Sequence, residues 1–205
     1  RIVTDVYGFD DLTPDILEPA QKKLTEFRKP GGRFKLLSEH ANLDHIQTDD
    51  FIWPCEPDAS GPDFFLYDLS WQGFCNGQIN PEAIADETGI TVTDLNSLQQ
   101  AMEAIFAKHG PNAIAVKAQH AYSRTLNWQP RARGDAERAL YATLGSNNNV
   151  SEGLRLCLGD WCWARGVELS IEYNLPFKIH TGYYAGNNRM PVDRIKSGNL
   201  CGLLA

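Results

Sequence analysis

The apolar positions of this chain alternate between two spacings, one helical and one of short solid runs. Thr13-Pro14 sets an N-cap ahead of a proline at the first helical position, and Ile16, Leu17, Ala20, Leu24 and Phe27 then recur at helical spacing until Pro30-Gly31-Gly32. A short second helix is expected over Phe34 to His40, and Leu43 to Thr48 reads as the first strand. Pro54, Pro57, Gly61 and Pro62 make an irregular link to the buried-strand run Phe64-Phe65-Leu66-Tyr67. Asn80-Pro81 caps a short helix ending at Gly89, and Thr93-Asp94 opens another whose apolar positions stop at Gly110. Ala113 to Ala118 is a strand broken by one charge, Lys117. Gly134 to Leu144 reads as helix, Ser151 starts a long one running to Asn174, and after Leu175-Pro176 comes the strand Phe177 to Gly182. Strands alternating with helices of this length predict parallel β-α units, in which functional side chains gather at the carboxyl ends of the strands.

Four such strands are half of what a closed (β/α)8 barrel needs. The 205 residues, 42% of them hydrophobic, are enough for a substantial core. No repeat, low-complexity stretch or internal linker divides them, so residues 1–205 read as a single incomplete domain. The chain begins without Met and stops on the apolar run Leu200-Cys201-Gly202-Leu203-Leu204-Ala205, so both ends read as cut.

Charge and cysteine narrow the class further. No apolar run approaches the length of a membrane span, and the opening residues lack the form of a signal peptide. Cys55, Cys75, Cys157, Cys162 and Cys201 are too sparse for a disulfide framework, and a reducing, cytoplasmic setting is expected. The net charge of −7 is uneven, with 13 acidic residues and no Lys or Arg from Leu36 to Ala107. The basic residues elsewhere are dispersed, which argues against a nucleic-acid surface. A small-molecule substrate is the expected partner, with homo-oligomerisation left open.

Two residues invite chemistry. Lys117 sits inside Ala-Ile-Ala-Val-Lys-Ala, and a lysine in a buried strand needs a partner, a route to solvent or a task such as holding metal or acting as a base. His180 ends a strand, where a neutral imidazole serves as a metal ligand or simply as a polar strand residue. Arg124, a few residues beyond Lys117, offers either a carboxylate clamp or a surface or interhelical salt bridge. The loop from Tyr183 to Arg189 suits substrate contact. His40 and His45 straddle a helix-to-strand break, a weak basis for a shared metal. A phosphate-binding glycine loop, G-x-S-x-G and H-E-x-x-H are all missing, which counts against nucleotide binding, a serine hydrolase and a helical zinc protease.

Ala115-Val116-Lys117 followed by Ala121-Tyr122-Ser123-Arg124, then Leu175-Pro176-Phe177-Lys178-Ile179-His180-Thr181-Gly182, resembles the amidohydrolase superfamily, particularly its uronate-isomerase-like branch. The segment Tyr7 to Thr13 is similar to what precedes the second strand there, and the likeness is sharpest at the two strand motifs. The resemblance implies a partial (β/α)8 TIM barrel covering about strands two to five. It also implies one or two divalent metals, zinc expected, that activate a water for hydrolysis or assist isomerisation. In that family the ligands are a His-x-His on the first strand, Lys or Glu on the fourth, His on the fifth and sixth, and Asp on the eighth. Lys117, carbamylated, and His180 match two of these positions, while His-x-His is missing from the sequence. Arg124, Tyr122, Tyr183 and Arg189 are the implied substrate contacts, with Arg124 the carboxylate clamp. No catalytic acid or base is assigned. The expected activity is hydrolysis of a small polar, carboxylate-bearing substrate by a parent enzyme, this section being inactive alone. The alternatives are an aldose-ketose isomerase and a non-catalytic section that assembles with a partner chain.

Overall fold

Side-chain caps fix the starts of three helices. The computed structural model describes residues 1–182 and 192–204, and in it Asn80 Oδ1 accepts from the Ala83 amide at 3.1 Å while Pro81 occupies the first turn of a helix. Asp94 and Ser97 form a reciprocal capping box, and the Ser151 hydroxyl accepts from the Leu154 amide at the head of the longest helix. Each cap satisfies amides that a helix start otherwise leaves without partners. The helices are α1 Leu17–Phe27, α2 Gly32–Lys35, α3 Gln72–Cys75, α4 Pro81–Thr88, α5 Leu95–His109, α6 Arg133–Gly145, α7 Glu152–Glu172 and α8 Cys201–Leu204. The strands are β1 Ile46–Thr48, β2 Phe65–Ser70, β3 Ala113–Ala118 and β4 Phe177–Ile179. They follow one another in the sheet in chain order, β1-β2-β3-β4. The pairs β2–β3 and β3–β4 are parallel, so the expected β-α units are present. Among the described residues no helix is long and apolar enough to cross a membrane.

The chain divides into two compact units, residues 1–48 with 56–66, and residues 49–55 with 67–205. The first holds α1, α2, β1 and an aromatic cluster in which Phe34 and Phe65 both meet Phe64 edge-on, at 5.2 and 5.1 Å. The second holds the larger core. In it Leu98, Met102, Ile105 and Phe106 of α5 and Leu158, Cys162 and Trp163 of α7 pack against Leu69, Val116 and Ala118 of the sheet.

Strand alternation divides that sheet into two faces. Leu69, Val116, Ala118, Phe177 and Ile179 belong to the helix-facing core. The register sets Ser70 beside Lys117 and Lys117 beside Lys178, so Asp68, Ser70, Ala115, Lys117, Lys178 and His180 share the opposite face. β1 is shorter than expected, starting at Ile46 rather than Leu43, and two boundaries on this sheet's site-bearing strands also differ. β2 runs three residues past Tyr67 because Asp68 is buried rather than ending the strand, and β4 closes at Ile179, with the His180 amide still donating to Ala118 O at 2.9 Å.

Candidate functional site at the strand ends

The parallel strands β3 and β4 deliver Lys117 and His180 to the same face and the same carboxyl end. Burial, and then the Lys117 ammonium, lower the His180 pKa from its usual value. His180 is therefore neutral near pH 7. The turn His120–Tyr122, directly after β3, lays the Tyr122 ring against the imidazole, with centroids 4.5 Å apart and planes at 40°. Tyr122 Oη stands 3.5 Å from His180 Nδ1, whereas His180 Nε2 is buried and has no hydrogen-bond partner.

Below this pair runs an ion pair that the sequence reading did not single out. Lys178 Nζ lies 2.5 Å from Asp68 Oδ2, although Lys178 is level with Lys117 and Asp68 is level with Ala115. The lysine stem crosses β3 to reach its partner, and the small methyl of Ala115 leaves it room. Burial pushes the Asp68 carboxyl above its usual range, against the pull of Lys178 and Lys117. Asp68 and Lys178 were legible only as charges set singly inside the apolar runs Phe64 to Leu69 and Phe177 to Ile179. Nearby, the Gln119 amide donates to the Asp49 carboxylate.

Arg124 is 0% exposed and faces away from any solvent-borne ligand. Its guanidinium donates to Asp160 Oδ1, to Cys75 O at 2.9 Å and to Thr125 O at 3.0 Å. Arg131 holds the other Asp160 oxygen through two bonds of 2.8 and 2.7 Å. The carboxylate that Arg124 clamps is thus one of the chain's own, on α7, and the arrangement is a buried salt bridge between the loop after β3 and that helix, neither an open clamp nor an interhelical or surface pair. Tyr183 and Arg189 lie outside the described residues. Among the described residues, no three His, Cys, Asp or Glu side chains come together as a metal site. Burial pushes the Cys55 thiol up to about 12, which disfavours the reactive thiolate.

His120 is also fully buried, edge-on to Trp163 with centroids 4.1 Å apart, and neither ring nitrogen has a partner. Burial, and then the Arg124 guanidinium, hold its pKa well below the usual value. In the unfolded chain the same imidazole takes a proton near pH 6.5. As pH falls below about 6.5 the unfolded state therefore binds a proton that the folded state refuses, and stability drops by at most about 1.4 kcal/mol per pH unit. His120→Phe keeps the contact with Trp163 and removes the proton site. Urea midpoints compared between about pH 7 and pH 5 are expected to fall less in the variant than in the parent chain. Equal losses in the two would show that His120 does not set this limb.

No protein-family model matches the chain, and no curated protein matches it.

Proposed function

We propose that this chain is a section of an amidohydrolase-type (β/α)8 barrel, about strands two to five, whose mouth holds a divalent metal through His180 and a carbamylated Lys117. The parent enzyme would use the metal to activate water against a small polar substrate, the chemistry that such an ion supplies when bound. The observation that carries this reading is the placement of Lys117 on β3 and of His180 just past the end of the neighbouring parallel strand β4, with a buried imidazole nitrogen left without a partner. A buried polar atom without a partner is costly in a folded protein, and a cation at Nε2 would relieve that cost. Lys117 fits as a ligand only after its neutral amine adds CO2 and loses a proton, which converts a cation into a carboxylate-like donor. Two such donors leave most coordination positions to water or to groups elsewhere. The chain alone is therefore expected to bind Zn2+ weakly and to show no hydrolase turnover.

Calorimetric titration with Zn2+ in bicarbonate buffer tests this. His180→Ala is expected to weaken binding by more than the roughly 10–100-fold that loss of an outer-shell partner costs. With 13C-bicarbonate, a carbamate carbon signal is expected that Lys117→Ala removes. Zn2+ binding indifferent to both substitutions would refute the assignment.

A further inference from the structure

We infer that Tyr122 is a positioning residue for His180, accepting the Nδ1 hydrogen so that Nε2 presents its lone pair. The inference deepens the metal-site reading and rests on it for its functional meaning, but the geometry behind it is separate. A neutral imidazole carries one N–H, on one nitrogen or the other. Were that hydrogen on Nε2, a buried donor would lie without an acceptor, in a ring already within reach of the Lys117 ammonium. Orphaned buried donors are rarer than orphaned acceptors. With the hydrogen on Nδ1, it points toward Tyr122 Oη, 3.5 Å away, and the buried Nε2 is left as an acceptor. The ring contact at 4.5 Å and 40° fixes the imidazole plane, and the His180 amide bond to Ala118 O fixes its backbone. A metal-binding histidine is ordinarily oriented in this way, its second nitrogen donating to a fixed oxygen.

This assigns Tyr122 to holding the ligand rather than touching the substrate. It arrives at that place because the turn His120–Tyr122 follows β3 directly, and β3 is paired with the strand that carries His180.

The test is long-range proton–nitrogen NMR on the 15N-histidine-labelled chain without metal, with the His180 signals assigned by their loss in His180→Ala. The expected result is a protonated Nδ1 and an unprotonated Nε2, at a pH where the ring is neutral. Tyr122→Phe keeps the ring contact and removes the hydroxyl, so it is expected to return the ring to a mixture of tautomers. It should also weaken Zn2+ binding by about 10–100-fold. A protonated Nε2 in the parent chain, or a tautomer unchanged in Tyr122→Phe, would overturn the inference even if Zn2+ binds. The predicted tautomer in a chain that binds no Zn2+ would support it and sink the metal reading alone.

Discussion

Asp160→Asn is expected to destabilise the chain by about 3–5 kcal/mol, a large part of the roughly 5–15 kcal/mol that holds a typical domain folded. The substitution keeps size and hydrogen-bonding shape and deletes one charge. Arg124, 0% exposed, would then be a buried guanidinium with only neutral acceptors, the Cys75 and Thr125 carbonyls and the new amide oxygen, beside the Trp163 ring. Arg131 is different, since 29% of its side chain is exposed and it can turn to water. Arg131→Met should therefore cost clearly less than Asp160→Asn. A double-mutant cycle between Arg124→Met and Asp160→Leu should show strong coupling, because removing both charges leaves only the part-exposed Arg131 without its carboxylate. Urea unfolding followed by circular dichroism measures the four single variants and the double variant. A loss within about 0.5 kcal/mol for Asp160→Asn, the range of an ordinary surface change, would contradict the picture of an uncompensated charge.

That ion pair marks the limit of what the chain reveals before it folds. Helix starts at Asn80, Asp94 and Ser151 were readable because a cap and the amide it satisfies are three residues apart. The strand Ala113–Ala118 was readable because a short apolar run has one simple use in a parallel unit. Lys117 and His180 stood out as polar residues in apolar strands, and β3–β4 pairing puts them together. Arg124 stood out equally, yet its partner Asp160 lies within Leu158-Gly159-Asp160-Trp161-Cys162, where only the apolar company of a lone acid hints at burial. Asp68 and Lys178 were hidden for the same reason, since their contact depends on sheet register and on the small size of Ala115. Local periodicity carries no information on either point. A residue's type thus announced that it needed a partner, while the identity of the partner belonged to the fold.

Gly166→Ala is expected to cost about 2–4 kcal/mol, because α7 crosses Trp71 where only a hydrogen fits. A methyl there would fall well inside contact distance of the indole Nε1 and Cδ1. The ring has nowhere to go. Trp71 is fully buried, its N–H donates to Cys162 O at 3.1 Å, and Phe74 and Phe106 pack on it at 4.5 and 5.0 Å. Relief requires breaking the indole hydrogen bond or lifting the helix, and either adds to the overpacking cost. The strain would also reach the site, because the Trp71 amide donates to Lys117 O at 2.8 Å and so ties this indole to the strand end that carries the lysine. Gly153 lies in the same helix, exposed, with nothing within 4 Å of its missing methyl. Gly153→Ala should be neutral or stabilising by up to about 1 kcal/mol through helix propensity alone. Thermal unfolding of the two variants side by side separates packing from propensity. If both glycines tolerate alanine equally, the close approach of α7 to Trp71 is not a feature of the folded chain.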